Sequence, residues 1–138
     1  MKVYQTKTKP LPGTNYSEVY PLALDLFRII KRRSKRRPHI RSAYFQKQKI
    51  FLDYFWEHLH QKNLPDRVRR LKLYPCALEL IINSKFTPTS KENPNKKSEI
   101  LHRFAGRTSD RNQFFVQIKE DKRTNQKYLV SIFPDNAI

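Results

Sequence analysis

The segment Glu99–Pro134, near the C-terminus, decides the fold. It contains three short runs, EILHRFAGRT (residues 99–108), QFFVQIKE (113–120) and KYLVSIFP (127–134), which are rich in β-branched and aromatic residues. Polar residues separate the runs. Short runs of this composition between polar turns are typical of an antiparallel meander. We therefore predict that the three runs form neighbouring strands of one antiparallel sheet.

The chain before this segment is predicted to be mainly helical. Apolar residues recur at helical spacing after Ser17, a possible N-cap, and further helices are predicted over Gln46–Lys62, from Leu64, and over Cys76–Ser84. Prolines and polar residues predict a flexible arm over residues 1–15 and a loop over 85–98. The expected fold class is α+β. In a single domain, 16–138, the N-terminal helices (16–84) pack on one face of a three- to four-stranded antiparallel sheet (99–134).

The protein is strongly basic. Its 138 residues carry a formal net charge of +17, from 29 Lys and Arg against 12 Asp and Glu. This excess is larger than solubility requires, and nucleic acid, with RNA favoured, is the expected partner. No apolar run is long enough to cross a bilayer, so no membrane partner is expected.

The cysteine and glycine content excludes several classes of site. The single cysteine, Cys76, excludes an intrachain disulfide and a multi-cysteine metal site, and it indicates a reducing cytoplasm. With only two glycines, Gly13 and Gly106, the chain has no glycine-rich phosphate-binding motif. We expect neither a metal nor a cofactor.

Much of the positive charge is concentrated in one stretch, Lys31–Lys49, which we call the basic tract. No acidic residue lies between Asp25 and Asp53. An unbalanced stretch of this length favours contacts with phosphates, and the candidate nucleic-acid-binding residues in it are Lys31, Arg32, Arg33, Lys35, Arg36, Arg37 and Arg41. The alternative is that the tract is a solvated helix end or a localisation signal.

Alternation along the predicted strands separates a core face from an open face, although in the first strand Ile100, His102 and Phe104 alternate with Leu101, Arg103 and Ala105 and the two faces are ambiguous. Phe114, Val116 and Ile118 share the core face of the second strand. The open face carries Arg103, Gln117, Lys119 and Ser131, with His102 beside or behind them. A bulge near Gly106 is expected to bring Arg107 round to this face, where it is a further candidate nucleic-acid-binding residue.

These residue types suit phosphodiester cleavage without a metal. A histidine can move a proton near neutral pH, and Arg and Lys stabilise the charge that develops on phosphorus. Ser and Gln can hold a phosphate or a base edge. The candidate catalytic residues are His102, Arg103, Gln117, Lys119 and Ser131. The alternative for His102 is a packed or hydrogen-bonded histidine without a catalytic role. His58 and His60 are spaced i and i+2 on a predicted helix and are interpreted as core or surface residues.

The order of helices, a Pro-Thr-Ser loop and the three strand runs resembles the barnase–EndoU–colicin–RelE-like nuclease domains, especially those of phages and mobile elements. The resemblance covers the last third of the chain and the helix over 75–84 before it. It implies metal-independent RNA cleavage, often by a toxin that has an immunity or antitoxin partner. Active residues in that family lie on the sheet, and the matching positions here are His102 or Arg103, Lys119 and Ser131. Unlike barnase, the chain has no acidic general base among these positions.

Two functions follow from the sequence. One is a metal-independent endoribonuclease that acts through the basic face of the sheet, as a toxin or phage-derived effector would. The other is a non-catalytic nucleic-acid-binding protein that uses the basic tract.

Overall fold

The structure is a computed structural model and describes residues 2–135. In chain order the elements are β1 (Val3–Gln5), α1 (Tyr16–Arg33), β2 (His39–Ser42), β3 (Gln48–Phe51), α2 (Asp53–His58), a 3₁₀ turn (Leu59–Gln61), α3 (Leu64–Lys72), α4 (Tyr74–Asn83), β4 (Thr89–Asn93), β5 (Lys96–Arg107), β6 (Gln113–Asp121) and β7 (Lys127–Pro134).

The strands of this part of the chain form one mixed sheet. Its order is β1-β5-β6-β7-β3-β2, and β4 pairs with β5 on the same side as β1. Strands β5, β6 and β7 are antiparallel neighbours, as the predicted meander requires. However, β1 is parallel to β5, and β3 is parallel to β7. The predicted fold class is therefore wrong on the sheet, which has seven strands instead of three or four and is mixed instead of antiparallel.

The strands missing from the prediction are short. Strand β3 lies inside the segment predicted as a helix, Gln46–Lys62, and β4 lies inside the predicted loop over 85–98. Gln46 and Lys47 have positive φ angles of 53° and 64°, so the chain turns sharply between β2 and β3 without the glycine that usually marks such a turn. Pairing with the meander supplies the stability that these short strands lack alone. Residues 1–15, predicted to be an arm, include β1.

Helix α1 begins with a capping box. The Asn15 side chain accepts a hydrogen bond from the backbone N–H of Glu18 (3.1 Å), and the Glu18 carboxylate accepts one from the backbone N–H of Asn15 (3.3 Å). Asn15, and not Ser17, is therefore the N-cap. The helix ends with three cations, Lys31–Arg33, which lie near its negative pole.

The core lies against the side of β5–β7 that carries Phe104, Val116 and Ile132, each of which is at most 4% exposed. Gly106 lies on the same side, where a β-carbon would approach the Phe114 ring to 2.5 Å and Leu80 of α4 to 2.9 Å. The glycine therefore permits the close packing of α4 on the sheet. Among residues 2–135, none of the helices combines the length and the hydrophobicity that crossing a membrane requires.

Candidate nucleic-acid site on the sheet

The register of the central strands places three of the predicted site residues in one row. Arg103 of β5 lies opposite Gln117 of β6, which lies opposite Ser131 of β7. Residues directly opposite each other in antiparallel strands point to the same side. We call this side of β5–β7 the Arg103 face and the other side the His102 face. The row confirms the alternation that the sequence predicted for these three residues.

Arg103 is exposed and lies among aromatic rings. Its guanidinium lies 5.6 Å from the centre of the Phe115 ring and 5.2 Å from that of Phe133, and its Nη2 donates a long hydrogen bond to Gln117 Oε1 (3.4 Å). The two rings are themselves 5.4 Å apart. This end of the Arg103 face thus presents a cation beside a pair of aromatic rings.

Lys119 lies on the same face, two residues after Gln117 in β6. Its Nζ lies 4.4 Å from the ring centre of Tyr54 in α2 and 5.3 Å from that of Tyr128 in β7, and it pairs with Glu99 at 3.5 Å. Burial works to raise the pKa of Glu99, but a hydrogen bond from Asn93 and the charges of Lys119 and Lys96 outweigh it and lower the pKa below its ordinary value. The carboxylate therefore stays ionised beside Lys119 at neutral pH.

Helix α2 covers part of the Arg103 face and encloses a cavity of about 320 Å³. Because α4 packs on the His102 face, helices lie on both faces of the sheet. The sequence-based prediction that they pack on one face is therefore wrong. The cavity lies between α2, the 3₁₀ turn, α3 and the sheet, and its lining consists of Tyr54, Phe55, His58, Leu59, Gln61, Lys62, Arg70, Gln117, Val130 and Ser131. We call it the cleft.

Arg70 of α3 connects the helices to the sheet. Its Nη1 donates to Ser131 Oγ (2.8 Å) and to the backbone carbonyl of Ile132 (2.9 Å). Its guanidinium lies 5.9 Å from the Phe133 ring centre, and Asp66 lies 3.8 Å away on the same helix. Strand β7 can accept this contact because its pairing with β3 covers only Lys127 and Tyr128. Arg70 therefore adds a partly buried cation to this face. The sequence pattern did not predict that Arg70 lies against the sheet.

His58 lines the cleft, and one of its ring nitrogens has a partner within the protein. Its Nδ1 lies 2.8 Å from the carbonyl oxygen of Tyr54, and the two rings stack with centres 4.0 Å apart. Because a carbonyl oxygen can only accept, Nδ1 carries the hydrogen, and Nε2 of the neutral ring can accept a proton. The sequence interpretation of His58 as a core or surface residue missed this position, because only the folding of α2 over β7 brings the side chain to Gln117 and Ser131.

His102 lies on the opposite side of the sheet. It is 8% exposed, its Nδ1 lies 2.6 Å from Ser90 Oγ on β4, and its Nε2 lies 2.9 Å from Glu120 Oε1 on β6. The Phe45 ring packs edge-on against the imidazole with centres 5.0 Å apart. Of the two placements left open by the sequence, beside or behind the open-face residues, the second applies. Both ring nitrogens have partners within the protein, as in the packed-histidine alternative.

Arg107 shares the Arg103 face without the predicted bulge. The pairing of β5 with β6 runs without interruption from Glu99 to Arg107, so positions 103, 105 and 107 point to the same side. The irregularity lies instead between β6 and β7, where the register skips Val130. Arg107 lies opposite Gln113, at the end of β5.

The basic tract reaches the same face of the sheet. Phe51 of β3 pairs with Tyr128 of β7, which pairs with Lys119 of β6. Arg37 lies over both rings, 4.6 Å from the centre of Phe51 and 5.0 Å from that of Tyr128, and its Nε donates to Asp53 Oδ2 (2.7 Å). Tyr128 thus contacts Lys119 on one side and Arg37 on the other.

The other predicted phosphate-binding residues occupy two positions around Arg37. Lys31, Arg32 and Arg33 are exposed at the end of α1, and Arg41 is exposed on β2, where it donates to the carbonyl of Lys47 (3.0 Å). Lys35 and Arg36 join Arg37 in lining a second cavity of about 550 Å³. The structure therefore places Arg37 of the basic tract and Lys119 of the Arg103 face against the same ring, that of Tyr128.

Residues 2–135 contain no group of three or more His, Cys, Asp and Glu side chains that could hold a metal ion. No family model, curated protein or solved structure matches the chain.

Proposed function

We propose that the protein binds RNA across the Arg103 face and cleaves it in the cleft without a metal ion. One observation carries this proposal: His58, Arg70, Gln117 and Ser131 line a single cavity, and Lys119 lies beside it. A proton-transfer group, cations and neutral hydrogen-bonding groups are the parts that phosphodiester cleavage needs.

The surface around the cleft supports RNA binding. Lys119 and Arg103 each lie close to two aromatic rings, and Arg37 extends the same arrangement beyond Tyr128. Basic grooves with interleaved aromatic side chains bind single-stranded nucleic acids, because the cations contact phosphates while bases stack on the rings. This arrangement explains a net charge of +17 better than solubility does.

The cleft residues have distinct roles in the proposed reaction. The 2′-oxygen forms a bond to phosphorus, the bond from phosphorus to the 5′-oxygen breaks, and the leaving oxygen takes a proton from water. His58 Nε2 accepts the proton of the 2′-hydroxyl. Arg70 and Lys119 stabilise the charge on the pentacoordinate phosphorus, and Ser131 and Gln117 orient the phosphate. In this scheme His58 takes the role that the sequence assigned to His102.

The proposal is tested by incubating the purified protein with RNA and with DNA of the same sequence in EDTA. We expect cleavage of RNA with a 2′,3′-cyclic phosphate at the product ends, and no cleavage of DNA, because DNA lacks the attacking 2′-hydroxyl. Lys119→Ala should lower kcat more than RNA affinity, since the lysine acts on transition-state charge. Ser131→Ala should cost less, because the neutral hydroxyl only orients the phosphate and because Arg70 Nη1, which loses the Ser131 oxygen, keeps the Ile132 carbonyl as an acceptor. Lys91→Ala, on the exposed strand β4, is the control for loss of one lysine.

The second candidate is a non-catalytic RNA-binding protein, and the second cavity within the basic tract favours it. If the wild-type protein binds RNA with a strong salt dependence but leaves it intact in EDTA and in Mg²⁺, this function replaces the ribonuclease. Failure to bind either nucleic acid would overturn both candidates. An immunity or antitoxin partner stays a prediction of the family resemblance.

A further inference from the structure

The second cavity has the size and lining of a nucleotide site. Its volume of about 550 Å³ lies within the range of about 300–1,000 Å³ that is usual for small-ligand pockets. Its lining consists of Lys35, Arg36, Arg37, His39, Lys49, Phe51 and Gln126, and none of these residues is acidic. We call it the tract cavity.

One wall of the tract cavity consists of a guanidinium beside aromatic rings. The Arg37 guanidinium lies over the Phe51 and Tyr128 rings, whose centres are 5.8 Å apart, and Asp53 holds its Nε at 2.7 Å. His39 packs edge-on against Phe51 at 6.2 Å. Arg guanidinium planes and aromatic rings are the surfaces on which proteins stack unpaired bases. Arg37 already has these partners, so its guanidinium is oriented before a base stacks on it.

The other cations of the tract cavity supply positive charge for a phosphate. Lys35, Arg36 and Lys49 are exposed, and they lie around the fixed Arg37. Gln126 adds an amide, whose Oε1 accepts from the Tyr128 hydroxyl at 2.6 Å, so that its NH₂ group can donate to a base edge or a phosphate oxygen. The cavity thus combines a stacking surface, several cations and one orientable amide.

The position of the cavity links it to the cleft. Lys119, Tyr128, Phe51 and His39 form one register row across β6, β7, β3 and β2. Neighbouring strands are about 4.8 Å apart, so Phe51 lies roughly 10 Å from Lys119 along this row. A nucleotide in the tract cavity would therefore be a close neighbour of the phosphate at Lys119.

We propose that the tract cavity is a subsite for one phosphorylated nucleoside, which is a nucleotide of the same single-stranded RNA that enters the cleft. The inference rests on the RNA binding in the proposed function but not on cleavage. It differs from a general phosphate-binding surface, because it requires a base to stack at one defined place.

The test compares two double variants that remove the same charge. Lys35→Gln/Lys49→Gln changes the tract cavity, and Lys91→Gln/Lys97→Gln changes two exposed lysines on β4 and β5, away from it. Binding is measured by fluorescence anisotropy at one salt concentration, with a short single-stranded RNA that carries 2-aminopurine at successive positions. We expect the tract-cavity variant to bind at least 10-fold more weakly than its control. We also expect strong quenching of 2-aminopurine at one position in the wild type, and the loss of that quenching in the tract-cavity variant.

Equal weakening by the two double variants, or uniform quenching along the oligonucleotide, would overturn the subsite even if RNA is cleaved. Conversely, RNA that is bound with position-specific quenching but not cleaved would support the subsite and end the ribonuclease proposal. AMP is the second probe. If AMP binds more tightly than the oligonucleotide, the occupant is a free nucleotide and the RNA subsite is wrong. Thermal melts of both double variants should match the wild type, because all four lysines are exposed.

Discussion

The two faces of β5 give the adjacent residues His102 and Arg103 different surroundings. Arg103 points to the face that is partly open, where its neighbours are two rings and the row of Gln117 and Ser131. His102 points to the core face, where Ser90 and Glu120 occupy both of its ring nitrogens. The difference teaches that a histidine can exchange protons with a ligand only when one of its ring nitrogens is not already hydrogen-bonded within the protein.

The largest effects are expected when His58 and His102 are each replaced in a separate variant. His58→Ala should lower kcat for RNA cleavage by about 100-fold or more, the usual contribution of a general base, with a melting temperature close to wild type. His102→Asn should leave cleavage within a few-fold of wild type but lower the free energy of unfolding by roughly 2 kcal/mol, since Ser90 and Glu120 lose their partner. Single-turnover kinetics and urea titrations measure the two quantities. The comparison of the faces fails if His102→Asn stays stable and loses cleavage.

Gly106→Ala tests how tightly the His102 face is packed. The added methyl group would meet the Phe114 ring and Leu80, and we expect unfolding to become easier by about 1–3 kcal/mol, the usual cost of overpacking. Ala105→Gly, at the neighbouring position on the other side of β5, serves as a control for backbone effects. A wild-type urea midpoint for Gly106→Ala would show that α4 is not held against the sheet at this contact.

Glu99, which pairs with Lys119 on the Arg103 face, is expected to make the free energy of unfolding depend on pH in the acid range. Its pKa is lowered in the folded protein, so its contribution to stability is present above the unfolded pKa, about 4.3 for glutamate, and is lost as the pH falls through the folded value. Glu99→Gln should therefore be less stable than wild type at pH 7, by about 1 kcal/mol, and the difference should shrink as the pH falls below the unfolded pKa of glutamate. Urea midpoints from pH 3 to pH 7 measure it. A difference that grows toward low pH would contradict the assigned sign.

Arg103→Gln should have the smallest effect. Arg103 is exposed, so we expect an unchanged thermal melt and a few-fold loss of RNA affinity. The slope of log affinity against log salt should fall by about 1, as for the loss of one phosphate contact. Arg111→Gln, in the turn between β5 and β6, is the matched control. If both variants give the same slope, Arg103 is a general surface charge and the row with Gln117 and Ser131 does not mark the RNA path.

The sequence predicted the centre of the fold well because its signal there is local. Alternation in β6 places Phe114, Val116 and Ile118 on one side and Gln117 on the other, and the register puts Gln117 in a row with Arg103 and Ser131. In β7 the predicted alternation was wrong at Tyr128, because the register skips Val130 and Tyr128 lies on the same face as Ser131. The same reasoning failed for β3 and β4. Their residues contain no alternating apolar pattern strong enough to indicate a strand, and they are held by pairing with distant segments.

The candidate site was predictable only in part. Lys119, Gln117 and Ser131 lie on strands whose facing can be deduced from alternation. Arg70 and His58 could not be found in this way, because α2 and α3 precede the meander and nothing in their own spacing indicates which side of the sheet they cover. Their arrival at β7 depends on the parallel pairing of β3, which brings the start of α2 next to Tyr128.

By itself, then, the sequence determined the charge of the protein, its main helices and the three central strands, because these depend on composition and on periods of a few residues. The tertiary structure decided which candidates share a site. Arg70 reaches Ser131, 61 residues away along the chain, while His102 and Arg103, consecutive in sequence, are separated by the thickness of the sheet. The physical reason is that adjacent side chains of a strand must point to opposite faces, whereas contacts between distant segments depend on how helices pack against the sheet.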